Sequence, residues 1–314
     1  MRAAVLREHG VTPRVEEFEE PKAAEPGQVV ADVVAAGLNP VDIAMASGRF
    51  YGGAPPVPSV VGREGIVRVG GGGLAYFDGP VAPDGSLAER VLVEQETLIE
   101  LPAGLDAAHA VAFGIAGLAA WLALEWRAKL QDGETVLVLG ATGPVGQIAV
   151  QAARRLGARR VVAAGRDSEG LGRARELGAD ATVRLGDQDD LAGAFREAAG
   201  GEGPNVIVDP LWGEPAVAAM HAAAPRARLV QIGQSAGAEA TIPSAAVRGK
   251  LLAILGHTNF AAPPGVKRAA YTRMAEHAAA GELTADFEVV PLADAADAWE
   301  RQQSGPHRKL VVVP

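Results

Sequence analysis

Up to residue 114 the apolar positions fall into short runs, at 3–6, 28–36, 66–69 and 88–93, separated by Gly, Pro and charged residues. Such runs with turn formers between them predict the strands of an all-β unit. From residue 115 the period changes. Apolar runs at 135–139, 160–164, 206–209, 228–232 and 251–255 are spaced by Ala-rich stretches with apolar residues three and four apart. That alternation predicts βαβ units on a parallel sheet. A helix is predicted near 267–280, a strand at 287–290, a helix near 293–302 and a closing strand at 309–313. The final strands resume the texture of the first part. The expected fold is therefore α/β: a β unit from residues 1–114 and 263–314, and a doubly wound parallel-sheet unit at 115–262.

At 314 residues the chain is long enough for two cores. Aromatic residues make up 4% against 48% hydrophobic, so those cores are expected to be packed from small aliphatic side chains. The net charge of −9 repels a phosphate backbone, and without any dense basic run nucleic acid is not an expected partner. No apolar stretch approaches the roughly 20 residues that span a bilayer, and the run before Arg7 is too short for a signal peptide. A cytoplasmic location with no membrane partner is expected. Cysteine is absent, which removes disulfides, thiolate nucleophiles and thiolate metal sites. His9, His109, His221, His257, His277 and His307 include no pair at a helical ligand spacing, so no metal is expected.

The run 135–139 leads directly into Gly140-Ala141-Thr142-Gly143-Pro144-Val145-Gly146, and apolar residues then recur with helical spacing at Val145, Ile148, Ala149, Ala152 and Leu156. Glycines in a strand–turn–helix let backbone N–H groups approach a pyrophosphate, while the helix N-terminus adds partial positive charge. Gly140, Thr142, Gly143, Pro144, Val145 and Gly146 are the expected contacts. The next strand ends in Gly165-Arg166. An acidic residue there would accept the ribose 2′-hydroxyl of NAD; Gly165 leaves room and Arg166 offers charge to a 2′-phosphate, so NADPH is the expected cofactor. Asp167 follows at once, and a shift of one residue in the strand end would reverse that choice. Gly233, Gln234 and Ser235 sit after the run 228–232 at the edge where ligands approach such sheets. His257 and Asn259 follow the run 251–255 and are expected over the nicotinamide, a surface histidine being the alternative.

Six segments together resemble the medium-chain dehydrogenase/reductase superfamily, in its zinc-free quinone oxidoreductase branch. They are Asn39-Pro40-Val41-Asp42; Gly62-Arg63-Glu64-Gly65 with Val67-Arg68-Val69-Gly70; Gly85-Ser86-Leu87-Ala88-Glu89; the glycine loop; Leu177-Gly178-Ala179-Asp180; and Arg308-Lys309-Leu310-Val311-Val312. The resemblance implies a GroES-like β domain beside a Rossmann domain, reduction of quinones or activated C=C bonds, and a homodimer. Where zinc-dependent relatives place a Cys and a His, this chain has Asn39 and Arg63. It also departs from the family at 69–81, where the usual pattern is altered and shortened. Ala119 stands for a usual Thr beside the nicotinamide, and Gly170 for a Lys early in the helix after the second strand.

With hydride carried by a cofactor, the protein need only orient it against an electron-poor carbon and stabilise charge on the carbonyl oxygen. Asn39 is the first candidate for a catalytic group, its amide offered to nicotinamide or substrate; a loop-stabilising Asn is the alternative. Tyr51, in Gly48-Arg49-Phe50-Tyr51-Gly52, is the candidate proton or hydrogen-bond donor to an enolate, with solvent as the other source and a packed loop tyrosine as the alternative. Asp42 and Glu64 are expected to hold loops, Asp209 with Gly213 to form a strand-end turn, and Lys309 to be solvated, a lysine facing the cleft being the alternative. The expected substrate is a quinone or an α,β-unsaturated carbonyl compound. A pathway-specific reductase of an enoyl thioester or imine, or a redox-inactive NADPH-binding sensor or structural protein, are the alternatives.

Overall fold

The computed structural model describes residues 1–70 and 72–314; Gly71, within the altered stretch at 69–81, lies outside the described residues. The chain divides into two compact units, one of Met1–Ile115 with Pro264–Pro314 and one of Ala116–Pro263. The first unit contains β1 (Arg2–Leu6), β2 (Arg14–Glu17), β3 (Gln28–Leu38), β4 (Ser59–Val60), β5 (Glu64–Arg68), β6 (Leu74–Phe77), β7 (Arg90–Glu94) and β8 (Ile99–Glu100). The second contains β9 (Thr135–Val138), β10 (Arg160–Gly165), β11 (Ala181–Arg184), β12 (Val206–Asp209), β13 (Arg228–Gln231) and β14 (Ala253–Gly256). β15 (Phe287–Pro291) and β16 (Lys309–Val313) belong to the first unit. No helix among the described residues is long and apolar enough to cross a membrane.

In the first unit one sheet runs β2-β1-β4 and another β15-β16-β3-β5-β6-β8, with β7 paired to β3. β3 is the spine of the larger sheet because its 11 residues reach β16, β5 and β7 in turn. Its Ala31, Val33, Ala36 and Leu38 share a core with Leu6, Val67, Phe77, Val91, Trp299 and Leu310. Strands β2, β4, β6 and β8 are absent from the sequence-based expectation. Each has only 4 or 2 residues, too few for an alternating pattern to register. β6 falls inside the altered stretch at 69–81, where Ala75, Tyr76 and Phe77 are all buried. That stretch therefore contributes a core strand.

The second unit carries a wholly parallel sheet in the order β11-β10-β9-β12-β13-β14, the doubly wound Rossmann arrangement. Val136, Leu137, Val138, Val161, Val162, Ile207 and Val208 are buried, as continuous apolar strands covered on both faces must be. β11 also escaped expectation, because only Val183 of its four residues is buried. β14 begins two residues later than predicted, since Leu251 is exposed and adopts a positive φ of 53°.

The polar centre of the first unit forms around Glu64, which has no exposed surface. Its Oε1 accepts from Lys309 Nζ at 2.6 Å and Asn39 Nδ2 at 2.8 Å. Its Oε2 accepts from the Tyr76 hydroxyl at 3.0 Å and from the Ile115 N–H. Lys309 Nζ also donates to Asn39 Oδ1, and Asn39 Nδ2 donates to the Gly37 carbonyl at 3.1 Å. The role expected for Asn39 does not match these bonds. Its amide hydrogens are spent inside a buried network, where they orient the Lys309–Glu64 pair. Lys309, expected in solvent, is 3% exposed; β16 carries it inward, and a buried ammonium persists only beside an anion and hydrogen-bond acceptors. Asp42, in the first turn of the helix Pro40–Ala46, accepts the Asn39 N–H at 2.7 Å. Burial pushes its carboxyl up to about 7, against the opposing pull of that N–H and of Lys309.

A carboxyl whose pKa rises from its unfolded value to about 7 on folding holds its proton more tightly in the native state. Its ionisation thus erodes stability as pH rises from about 4 to 7, and the loss is constant above that window. Asp42→Asn keeps an acceptor for the Asn39 N–H and never ionises. Relative to the parent, the variant is expected to gain about 3 kcal/mol, or about 5 °C in Tm, between pH 4.5 and 7.5. Thermal melts at the two pH values check this; a difference that is flat, or that falls with pH, contradicts it.

Candidate functional site

The glycine turn takes its shape from close packing. Leu139 N–H bonds to the Val208 carbonyl at 3.0 Å, and Ala141 N–H to the Ala164 carbonyl at 2.8 Å. The turn is thereby pinned to the strands on either side. Gly143 precedes the helix Pro144–Arg155, whose first position is proline. A Cβ at Gly146 would collide with the Gly140 carbonyl, so only glycine lets the helix start this close to the strand end. Gln147 Nε2 donates to the Thr142 carbonyl at 3.0 Å and braces the turn from inside the helix. The first turn of this helix contains no acidic residue. Its N-terminal N–H groups, which have no carbonyl within the helix to bond, present uncompensated partial positive charge to an incoming anion.

β10 ends at Gly165, and Arg166 is the first residue beyond it, exposed at the strand end. The Asp167 carboxylate accepts the Gly170 N–H at 2.6 Å and caps the helix Ser168–Glu176. The acid that could have reversed the cofactor choice is thus turned into a helix cap. Arg184, at the end of β11, pairs in register with Gly165. Its Nε donates to the Arg166 carbonyl at 3.2 Å, and it forms an ion pair with Asp187 at 3.0 Å. Two arginines therefore stand at adjacent strand ends. Sequence reasoning missed Arg184, and the only signal for it was an arginine closing a short strand that was itself unseen.

Gly165 does not hold an open space. A Cβ there would come within 2.6 Å of Thr142 Cγ2, and one at Gly170 within 2.7 Å of Thr142 Cβ. Thr142 is buried, and its methyl group fills the volume that the sequence reading left for a ligand. The same packing explains Gly170, where any longer side chain would meet Thr142.

Further along the sheet, Asp209 at the end of β12 accepts the N–H groups of Leu211 and Trp212, each at 2.9 Å, and forms the expected turn. Burial pushes its carboxyl up to about 6 against those two bonds. Ile232 N–H bonds to the Asp209 carbonyl at 2.8 Å, and Ser235 Oγ to the Pro210 carbonyl at 3.2 Å. The segment Gly233, Gln234 and Ser235 is thereby laid against the end of β12, with Gln234 and Ser235 exposed. After β14, His257 is buried, and its ring meets the edge of Trp126 at 5.9 Å. Its Nε2 lies 3.1 Å from Asn259 Oδ1. Ala119 is buried in the helix Ile115–Leu122. The second unit thus brings together the glycine turn, the arginine pair, the 233–235 segment and His257 with Asn259, all at the C-terminal ends of its strands. Asn39 and Tyr51 belong to the first unit. Tyr51 is 78% exposed, its ring 4.2 Å from that of Phe50.

Residues 144–276 match the family model described as zinc-binding dehydrogenase. The chain is 31% identical over 312 residues to one of the proteins of the phenolphthiocerol/phthiocerol polyketide synthase of Mycobacterium tuberculosis, covering 91% of this chain but only 13% of that much longer protein. It is 31% identical over 238 residues to the quinone oxidoreductase of Pseudomonas aeruginosa, covering 72% of this chain and 71% of that one. Among solved structures, the quinone oxidoreductase of Thermus thermophilus, determined alone and with NADPH, superposes with a TM-score of 0.84 at 31% identity over 100% of both chains. With the doubly wound sheet and its glycine turn already described, these likenesses show that the chain belongs to the medium-chain dehydrogenase/reductase superfamily, in its quinone oxidoreductase-like branch.

Proposed function

We propose that this protein binds NADPH on its second unit and reduces a quinone or the activated C=C bond of an α,β-unsaturated carbonyl compound. The observation that carries the cofactor choice is the end of β10. It offers Arg166, with Arg184 beside it, while the Asp167 carboxylate is committed to the Gly170 N–H. The strand end thus meets a 2′-phosphate with cations, while one oxygen of the neighbouring acid is taken up by the helix cap. The Thermus relative solved with NADPH supports the same choice.

When bound, NADPH supplies the hydride. The N–H groups at the start of the helix Pro144–Arg155 hold the pyrophosphate through Gly143, Val145 and Gly146, with Gly140 and Gly146 permitting the close approach and Thr142 bracing it. The segment Gly233, Gln234 and Ser235 lines the groove over β12 and β13. The Tyr51 hydroxyl, on an exposed loop, is the proposed donor to the oxygen of the reduced substrate, and water is the second source of that proton. The likeness to the polyketide synthase protein over 91% of this chain favours a second reading, reduction of an α,β-unsaturated thioester. A second copy of the chain is the proposed partner. β14 is an edge strand whose Ile254 and neighbouring Leu251 are 37% and 61% exposed, and an apolar unpaired edge of this kind is closed by pairing with another strand.

Mixing the purified protein with NADPH and a panel of 1,2- and 1,4-quinones, simple enones and enoyl thioesters is expected to consume NADPH with at least one acceptor. Absorbance at the reduced nicotinamide band follows this, and binding of NADPH without turnover by any acceptor would favour the sensor or structural alternative. Arg166→Ala should weaken NADPH by about 10- to 100-fold, the worth of a charge-assisted contact, while leaving NADH within about twofold. Calorimetry with both cofactors decides, equal losses counting against the assignment. Ile254→Lys should convert a dimer to a monomer by light scattering, and a parent protein that is already monomeric rejects the β14 interface.

A further inference from the structure

Between β12 and the helix Gly213–Ala222 the backbone passes through Trp212 with φ 57° and ψ −161°. That conformation is close to one reserved for glycine, and a residue as bulky as tryptophan is strained there. Strain of this kind persists only where neighbouring bonds over-determine the backbone. Here those bonds come in pairs. The N–H groups of Leu211 and Trp212 both donate to Asp209 Oδ1 at 2.9 Å. On the far side of the same two peptide groups, the Pro210 carbonyl accepts the Ser235 N–H at 3.3 Å and the Leu211 carbonyl accepts the Ala236 N–H at 2.8 Å.

A trans peptide group is a rigid plane with its N–H and C=O directed oppositely, so holding one end sets the direction of the other. Through two such planes Asp209 sets where Ser235 and Ala236 find their acceptors. The packing leaves little slack. A Cβ at Gly233 would lie 2.9 Å from the Pro210 carbonyl oxygen, and one at Gly140 3.1 Å from Pro210 Cγ. The turn is wedged between the glycine turn and the segment after β13. Asp209 has no exposed surface, and among the described residues its Oδ2 has no hydrogen-bond partner and no charged side chain offsets its burial. Burying a carboxyl in this way costs stability, and only the two bonds at Oδ1 counter it. We propose that Asp209 is a positioning residue of the cofactor groove: it holds Trp212 in the strained conformation and, through the Pro210–Leu211 and Leu211–Trp212 peptide groups, sets the wall formed by residues 233–236. This rests on the NADPH reading.

Calorimetry with NADPH compares the parent with Asp209→Asn, Asp209→Ala, Trp212→Gly and the double variant Asp209→Ala/Trp212→Gly. Asparagine keeps the Oδ1 acceptor and should stay within about twofold of the parent, whereas Asp209→Ala should weaken NADPH by about 10-fold. Glycine adopts the backbone of residue 212 without strain. The latch is then no longer needed, and the double variant should bind NADPH within about twofold of Trp212→Gly alone. A general loss of stability at Asp209 would leave the two effects additive; additive losses, or an Asp209→Ala affinity equal to the parent's, overturn the proposal. Where Asp209→Ala does not fold, the double variant is still expected to fold, and its failure counts against the latch. The amide NMR signals of Ser235 and Ala236, recorded without cofactor, do not depend on the NADPH reading. They should move in Asp209→Ala and match those of Trp212→Gly in the double variant. That response in a protein that binds no NADPH rejects the cofactor reading and leaves the latch standing, while signals that stay in place in Asp209→Ala reject the latch.

Discussion

A carboxylate without access to water must find both its countercharge and its hydrogen bonds inside the protein, and Glu64 draws them from four separate stretches of chain. Lys309 comes from the last strand, Asn39 from the loop after β3, Tyr76 from β6 and the Ile115 N–H from the start of a helix. Removing one partner from such a buried pair typically costs about 3–5 kcal/mol, because the other charge is left uncompensated. The cost makes the arrangement mutually enforcing: β16 cannot leave β3 without exposing the deficit at Glu64. Tyr76 is locked further by stacking on Tyr271 at 4.0 Å, whose hydroxyl donates to the Ala110 carbonyl at 2.9 Å. The C-terminal segment is in this way tied to the N-terminal β unit by charge as well as by the shared apolar core.

The second unit rests on steric rather than ionic constraint. Its ligand-facing edge contains few ionisable side chains, and the parts proposed to meet a pyrophosphate are backbone groups placed by glycine contacts. A backbone N–H cannot titrate or swing away, so a site built from it keeps its geometry across pH. The two buried titratable groups on that edge, Asp209 and His257, are both pushed toward their neutral forms by burial. Positive charge stands at Arg166 and Arg184, where a phosphate would be met at the exposed rim.

How much of this could be read from the sequence followed from the size of the signal. Runs such as Val136-Leu137-Val138 and Val206-Ile207-Val208 announce buried parallel strands by apolarity alone, and the glycine spacing announces the turn between strand and helix. β4 and β8 carry too few residues to announce anything, and β11 shows only one buried side chain. Lys309 was misjudged because a lysine near a chain end reads as solvated; only the pairing of β16 with β3 brings it to Glu64. Asn39 was put first as a catalytic amide with a loop-stabilising role as the alternative, and its buried bonds fit the alternative. An asparagine before proline carries no sign that its amide is already bonded to residues 25 and 270 positions away in sequence.

The departures at Gly165 and Gly170 illustrate a different limit. Along the sequence they look like separate events, one opening space for a phosphate and the other deleting a lysine. In the fold they are two walls of one site for the Thr142 side chain, which comes within 2.6 Å and 2.7 Å of where their Cβ atoms would be. Close-packed interiors transmit such size changes locally, so a threonine in the glycine turn excludes a long cation from the start of the next helix. Under the NADPH reading, positive charge for the 2′-phosphate must then come from elsewhere on the rim. Arg184, aligned with Gly165 on the adjacent strand and bonded to the Arg166 backbone, is placed to supply it. The glycine at 170 is thus part of the packing of Thr142 inside the turn, and under the same reading the charge at this rim is that of Arg166 and Arg184.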